Sequence, residues 1–465
     1  MSVSALEVMV DRERRAFAAA RPRSQFLSVS AARHFAHAVP MHWMRDWPTP
    51  FPLYVAEAGE ATLSCVDGHH YVDFCLGDTG AMFGHSPYAV AEALARQATQ
   101  GLATMLPAGL AARVGEALAE LFGLPWWQVT LTATDANRAV LRLARAITGR
   151  RRILVFNHCY HGTVDETLVV ADQDHGHDGG QNNGKSSGGR SLPRPGLIGS
   201  IYDVSGTAVV EFNDLVAAES VLARGDIACV LTEPVMTNAG MVLPRPGFLE
   251  GLRAACDRHG ALLVIDETHT LSCGLGGYAR GVGLAADFLV CGKAIAGGMP
   301  AAVYGCTDAV ARRIEDFDRI REAGHSGLGT TLSANPLSLA ALHACLTQVM
   351  TPAAYAHMER LAGRLQVQLT AAFTARSLPW YVSRAGARLE FGRGEAPHNG
   401  TQSLARSDHR LESALHLYLL NRGFLLTPFH NMMLVSPVTT DQQVTDFSAA
   451  FGQCLDEFTQ AGALS

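Results

Sequence analysis

Lysine is nearly missing from this chain. Its 465 residues include two, Lys185 and Lys293, and every other strong base is arginine. Surface charge is therefore not left to lysine. A lysine that does occur is a candidate for work that a guanidinium cannot do, because guanidinium does not deprotonate to attack a carbonyl. Long apolar runs are also missing: none reaches the ~18 residues of an ordinary membrane span. The ten cysteines are scattered and form no C-x-x-C, so they read as small buried thiols in a reducing, cytoplasmic setting. No basic run is longer than Arg150-Arg151-Arg152 and the net charge is −6, which speaks against nucleic acid or an anionic membrane as partner. The segment Met1–Arg21 is charged at Asp11-Arg12-Glu13-Arg14-Arg15 and has no apolar centre, so no secretory signal is expected.

What is present is an ordinary globular composition, 48% hydrophobic, long enough for two or three domains. Residues 1–50 read as helix and then irregular chain. Short strands are expected at Phe51–Ala56, Ala61–Ser64 and Tyr71–Phe74, the last after an Asp67-Gly68 turn signal. From residue 88 helices and strands alternate: helices at 88–98, 108–122, 136–147 and 247–258, strands at 128–132, 153–156, 227–231, 262–265, 288–290 and 302–305. That alternation predicts an α/β fold whose large domain has a mostly parallel sheet covered by helices. The large domain is expected over 88–335, with a smaller α/β domain built from both termini, 1–87 and 336–465. The stretch His175–Arg190 breaks the pattern, being rich in Gly, Asn, Ser and His, and reads as a mobile loop. It contains a formal match to G-x-x-x-x-G-K-[ST] at Gly179–Ser186. No strand enters it and prolines leave it, so it is not expected to cradle phosphate.

Lys293 stands in Gly-Lys-Ala-Ile-Ala-Gly-Gly-Met-Pro, where glycines give an amine room. Asp266 ends the apolar run Leu263-Val264-Ile265. An amine that can hold an aldehyde and a carboxylate that can keep a pyridine nitrogen protonated together point to pyridoxal 5′-phosphate. Thr132–Asn137 follows a strand and opens a helix. Its free N–H groups suit a phosphate, although Thr134 or Asp135 would cap a helix there in any case. Tyr160, after the strand 153–156, is placed either to lie flat on a ring or to fill the core.

These stretches, with Val66-Asp67-Gly68, Gly84-His85, Arg142–Gly149, Glu233-Pro234-Val235 and Thr331–Pro336, resemble in order the class III aminotransferases of fold type I. In character the chain is nearest the glutamate-1-semialdehyde aminomutase branch. The resemblance implies that Lys293 is the Schiff-base lysine and that Asp266 pairs with the pyridine nitrogen. It places Ala133 and Thr134 on the phosphate, Tyr160 on the ring and Asn238 on the ring hydroxyl. Thr331 would reach the phosphate of a neighbouring subunit, which implies a homodimer with shared sites. The chain departs from the family at Ala133 and Asp135, where Gly and Glu are usual, and at Thr268, where Val usually lies behind the ring; His269 follows at a variable position.

For the substrate carboxylate the resemblance points first to Arg45 and second to Arg388, an ordinary surface arginine being the alternative for each. The substrate-facing set is completed by Trp43, His161 and Glu233; Trp47, Phe83, His85 and the pair His430-Asn431 are further candidates, with a core or N-terminal packing role the alternative for Trp43, Trp47, Phe83 and His85. The reaction expected is amino transfer between an amino acid or amine and a keto acid or aldehyde. An intramolecular aminomutase is the alternative. A binding protein that has lost catalysis would have no need of both Lys293 and Asp266.

Overall fold

A computed structural model of the chain describes residues 5–172, 190–194, 203–428 and 430–464. The expected loop at 175–190 therefore lies, apart from Arg190, outside the described residues, as does Lys185. The chain divides into two compact units. One comprises 88–355 and 397–405; the other comprises 1–87, 356–396 and 406–465. The first change of unit comes after Tyr355, beyond the expected 335/336 boundary, and a short piece at 397–405 returns to the large unit.

The large unit is built on a sheet of seven strands: β1 (Trp126–Thr130), β2 (Arg152–Phe156), β3 (Thr207–Val210), β4 (Ile227–Thr232), β5 (Leu262–Asp266), β6 (Phe288–Cys291) and β7 (Ala302–Cys306). Their spatial order is β1-β7-β6-β5-β4-β2-β3. β3, β2, β4, β5 and β6 run parallel, and β7 is antiparallel to both β6 and β1. Strands such as Leu262-Leu263-Val264-Ile265 are buried throughout, which is why they read as apolar runs without alternation.

Helix α1 (Ala133–Thr148) buries Ala136, Val140, Leu143 and Ala144 on one face. It starts earlier than the expected residue 136, because Thr132 rather than Thr134 or Asp135 is the cap: the Asp135 N–H donates to Thr132 Oγ1 at 3.1 Å. It stops at Gly149, whose φ of 69° is left-handed. β3 was not anticipated; Thr-Ala-Val-Val is too short to show a period.

The terminal unit holds an antiparallel meander, Val55–Gly59, Thr62–Cys65 and His70–Asp73, extended by a parallel Phe424–Leu425. The first strand starts at Val55 rather than Phe51, since Pro50 and Pro52 lack the N–H a ladder needs. A second sheet is formed by Trp380–Ala385, Arg388–Arg393 and Met432–Leu434. Phe74, Phe373, Phe391, Phe447 and Phe451 are buried in its core. All ten cysteines are free thiols and nine are buried. No single described helix is long and apolar enough to cross a membrane; one bent pair, Pro336–Val349 with Pro352–Ala375, meets the length and composition of a span only when its two halves are taken together.

Candidate active site

The candidate residues of the large unit gather at one edge of the sheet. Tyr160 and His161 follow β2, Glu233 follows β4, Asp266 ends β5 and Lys293 follows β6. Helix α1 begins just after β1. Because these strands are parallel, or parallel through β7, their carboxyl ends lie on the same side, where open α/β sheets bind ligands. Asp266 pairs in register with Val290, three positions before Lys293, so acid and amine come from neighbouring strands.

Asp266 is buried and has a full set of donors. His161 Nδ1 lies 3.0 Å and Asn137 Nδ2 2.9 Å from its Oδ2, and the Thr268 N–H donates to Oδ1 at 3.1 Å. Burial alone would raise this carboxyl, but those hydrogen bonds and the His161 charge outweigh it and hold it down, at about 2. The His161 imidazole is pushed the other way. Burial opposes its charge, and Cys159 together with the bond to Asp266 lifts it to about 10.

Lys293 has a left-handed φ of 49°, unusual for a side chain with a Cβ. Its neighbour Gly292 is packed so closely that an added Cβ would sit 2.9 Å from the Ala133 Cβ and 3.3 Å from the Ala133 nitrogen. The lysine backbone thus lies against the N-terminus of α1. Lys293 Nζ is 2.7 Å from His269 Nε2. Thr134 Oγ1 accepts from the Thr163 N–H at 3.1 Å, and a Cβ at Gly162 would fall 2.2 Å from that same oxygen.

Other expected residues are placed as follows. Ala133 and Thr134 are the first two residues of α1, Tyr160 is half-buried and Asn238 is exposed beside Thr237. Thr268 is buried, and its hydroxyl has no hydrogen-bond partner among the described residues. Thr331 is exposed in a turn. His161 and Glu233, expected to face substrate, are instead fully buried. His161 is committed to Asp266, and Glu233 accepts from the Thr237 hydroxyl at 2.5 Å, its carboxyl raised by burial to about 7.

In the terminal unit Arg45 is exposed, with Nη1 3.0 Å from His37 Nε2, and Trp43 is exposed as well. Arg388 is fully buried and donates to Thr79 Oγ1, so it is not a surface arginine. Trp47 and Phe83 are packed inward, His85 bonds Asp73, and His430 bonds Glu390. Asn431 lies 2.9 Å from His416 Nε2.

Two functional neighbours escaped the sequence reading. Asn137 was noted only as part of a loop-to-helix stretch, yet an Asn on the apolar face of α1 is itself the signal of a buried partner. His269 was expected, like Thr268, to bear on the ring's hydrogen bonding or the choice of reaction; its contact with Lys293 was not expected, and nothing in its spacing ties the two together.

The residues present fit pyridoxal phosphate. A buried ionised carboxylate, an amine on the adjacent strand and a helix N-terminus packed against that amine's backbone are what its ring nitrogen, aldehyde and phosphate require. A mostly parallel sheet carrying that trio at its carboxyl edge defines a fold type I enzyme dependent on this cofactor. Residues 44–455 match the model of the class-III aminotransferases, and the chain belongs to that family. It is 34% identical over 384 residues, 81% of this chain and 84% of the other, to a glutamate-1-semialdehyde 2,1-aminomutase of Myxococcus xanthus. The structure of a glutamate-1-semialdehyde-aminomutase from Pseudomonas aeruginosa PAO1 is 47% identical, covers 97% of this chain and 98% of its own, and superposes with a TM-score of 0.92. A β-phenylalanine aminotransferase from Variovorax paradoxus is 28% identical, covers 98% of each chain and has a TM-score of 0.83.

Proposed function

We propose that this enzyme is an aminomutase of the glutamate-1-semialdehyde type, exchanging an amino and an oxo group between adjacent carbons of one substrate. The likeness to aminomutases across most of the chain favours this over transfer between two substrates. The observation that carries the chemistry is the placement of Lys293 beside a buried, ionised Asp266 at one sheet edge.

When bound, the cofactor supplies an aldehyde that takes up amines and a pyridine ring that accepts electrons. Asp266 holds the proton on the ring nitrogen, its own charge secured by His161, Asn137 and the Thr268 N–H. The amides of Ala133 and Thr134, at the positive end of α1, hold the phosphate. Tyr160 would hold the ring from one side, Asn238 its hydroxyl, and Thr268, whose buried hydroxyl has no partner among the described residues, would face it from behind. Lys293 Nζ anchors the cofactor and, once released, carries a proton at the reacting carbons. Arg45, exposed on a short helical turn, binds the substrate carboxylate; Arg388, fully buried on Thr79, is the weaker candidate. Thr331 serves the phosphate of a second subunit in a homodimer.

Borohydride treatment of the cofactor-loaded protein is expected to fix a pyridoxyl group on Lys293, read by peptide mass. The protein in its pyridoxamine form is then given glutamate-1-semialdehyde alone. The expected result is the isomer with nitrogen on C1 and the ketone on C2, with no second substrate. The aminotransferase reading keeps support from the β-phenylalanine aminotransferase likeness. Turnover only when an amino donor and a keto acceptor are both supplied would establish it and displace the mutase.

A further inference from the structure

The contact between Lys293 and His269 joins a part-buried amine to a buried imidazole. Nζ and Nε2 are 2.7 Å apart, and His269 is only 6% exposed. Both ends are fixed by backbone. On one side, the His269 carbonyl accepts from the Ser272 N–H at 3.3 Å and from its hydroxyl at 2.8 Å, pinning the turn after β5. On the other, Lys293 holds its left-handed φ because Gly292 is wedged between Ala133 and Ala302. These backbone constraints fix the points from which the two side chains start.

A hydrogen bond of this length needs one donor and one acceptor, and a protonated amine and a protonated imidazole would both offer only donors. The arrangement that satisfies both is Nζ–H donating to Nε2, with the imidazole proton on Nδ1.

We infer that His269 is a catalytic residue that receives the hydrogen bond of the Lys293 ammonium and so stabilises the lysine after it has taken a proton from substrate. The proton moves from the substrate carbon to Nζ. His269 gains none; it supplies a lone pair that receives the new N–H. The inference rests on reading Lys293 as the cofactor lysine.

The test has an arm that needs no turnover. Cofactor-free protein is labelled with acetic anhydride at pH 7 and at pH 10, and the Lys293 peptide is quantified. Lys185 is the only other lysine, so the assignment is unambiguous. The ratio of the two rates cancels differences in access. His269→Met takes away the nitrogen that receives the Nζ hydrogen bond. His269→Met is therefore expected to raise the ratio about tenfold, the equivalent of ~1.4 kcal/mol. His269→Gln keeps an oxygen acceptor and is expected to stay near the parent; it also carries the test if the Met variant fails to fold, since His269→Asn then serves as the shortened, acceptor-displaced comparison.

In loaded enzyme His269→Met should slow turnover about 10- to 100-fold and enlarge the isotope effect of a substrate deuterated at the carbon that loses its proton. An unchanged labelling ratio and isotope effect would overturn the inference. If borohydride fails to place the cofactor on Lys293, the functional reading falls instead, and the labelling ratio still reports the contact.

Discussion

Asp266 is an acid kept ionised where water does not reach. Its folded value of about 2 lies below the ordinary 3.8, so it adds stability above pH ~4 that is lost as pH falls toward 2. His161 is raised from 6.5 to about 10, so its contribution is complete below pH ~6.5 and fades as pH climbs toward 10. Cofactor-free protein should therefore resist denaturant best between those limits, and denaturation midpoints across pH 2–10 check it. Asp266→Ala leaves a buried imidazole without its carboxylate and should cost about 3–5 kcal/mol. It should also abolish measurable turnover while Lys293 can still be trapped with the cofactor by borohydride. A stability unchanged by Asp266→Ala would contradict the pairing. Asp266 and Lys293 were legible because each ends an apolar strand or sits among glycines. The roles of His161 and Glu233 were not, since sequence shows that a residue is polar and near a strand end but not which way its side chain turns.

Helix α1 and the turn after β2 act together as elements. Gly162 has φ of 81°, and an added Cβ would meet Thr134 Oγ1 at 2.2 Å, so backbone and space both require glycine. Gly162→Ala should push that turn off the N-terminus of α1 and weaken cofactor binding about tenfold or more, measured by equilibrium titration, with a stability loss of about 1–3 kcal/mol. A variant that binds cofactor normally would show that the turn and the helix end are independent. The existence and type of α1 were evident from its apolar stripe. Its first turn was not, because Thr132 caps through a side-chain bond that the periodicity of apolar residues does not record.

At the scale of the whole molecule, the terminal unit is assembled from three separate stretches of chain. Glu13, 4% exposed on the helix Ala5–Ala20, receives Asn421 Nδ2 at 2.8 Å, Arg422 Nη1 at 3.1 Å and Arg12 Nη2 at 2.7 Å, tying the first helix to residues more than 400 positions away. Glu13→Ala should take the side-chain acceptor from Asn421 and one carboxylate from Arg12 and Arg422, which keep Glu457, and lower the stability of this unit by about 1–2 kcal/mol, read as an earlier urea transition. An unchanged transition would show that the helix is held by packing of Phe17 alone. By itself the sequence determined the fold class, the cofactor and the pair Lys293–Asp266, because strand–helix alternation, the scarcity of lysine and glycine-flanked motifs are local properties. Only the tertiary structure decided that His161 and Asn137 serve Asp266, that Arg388 is buried, and that His269 meets Lys293. Those contacts depend on which strand ends lie side by side and on the rotamers that close packing allows, and neither is a property of neighbouring letters in the chain.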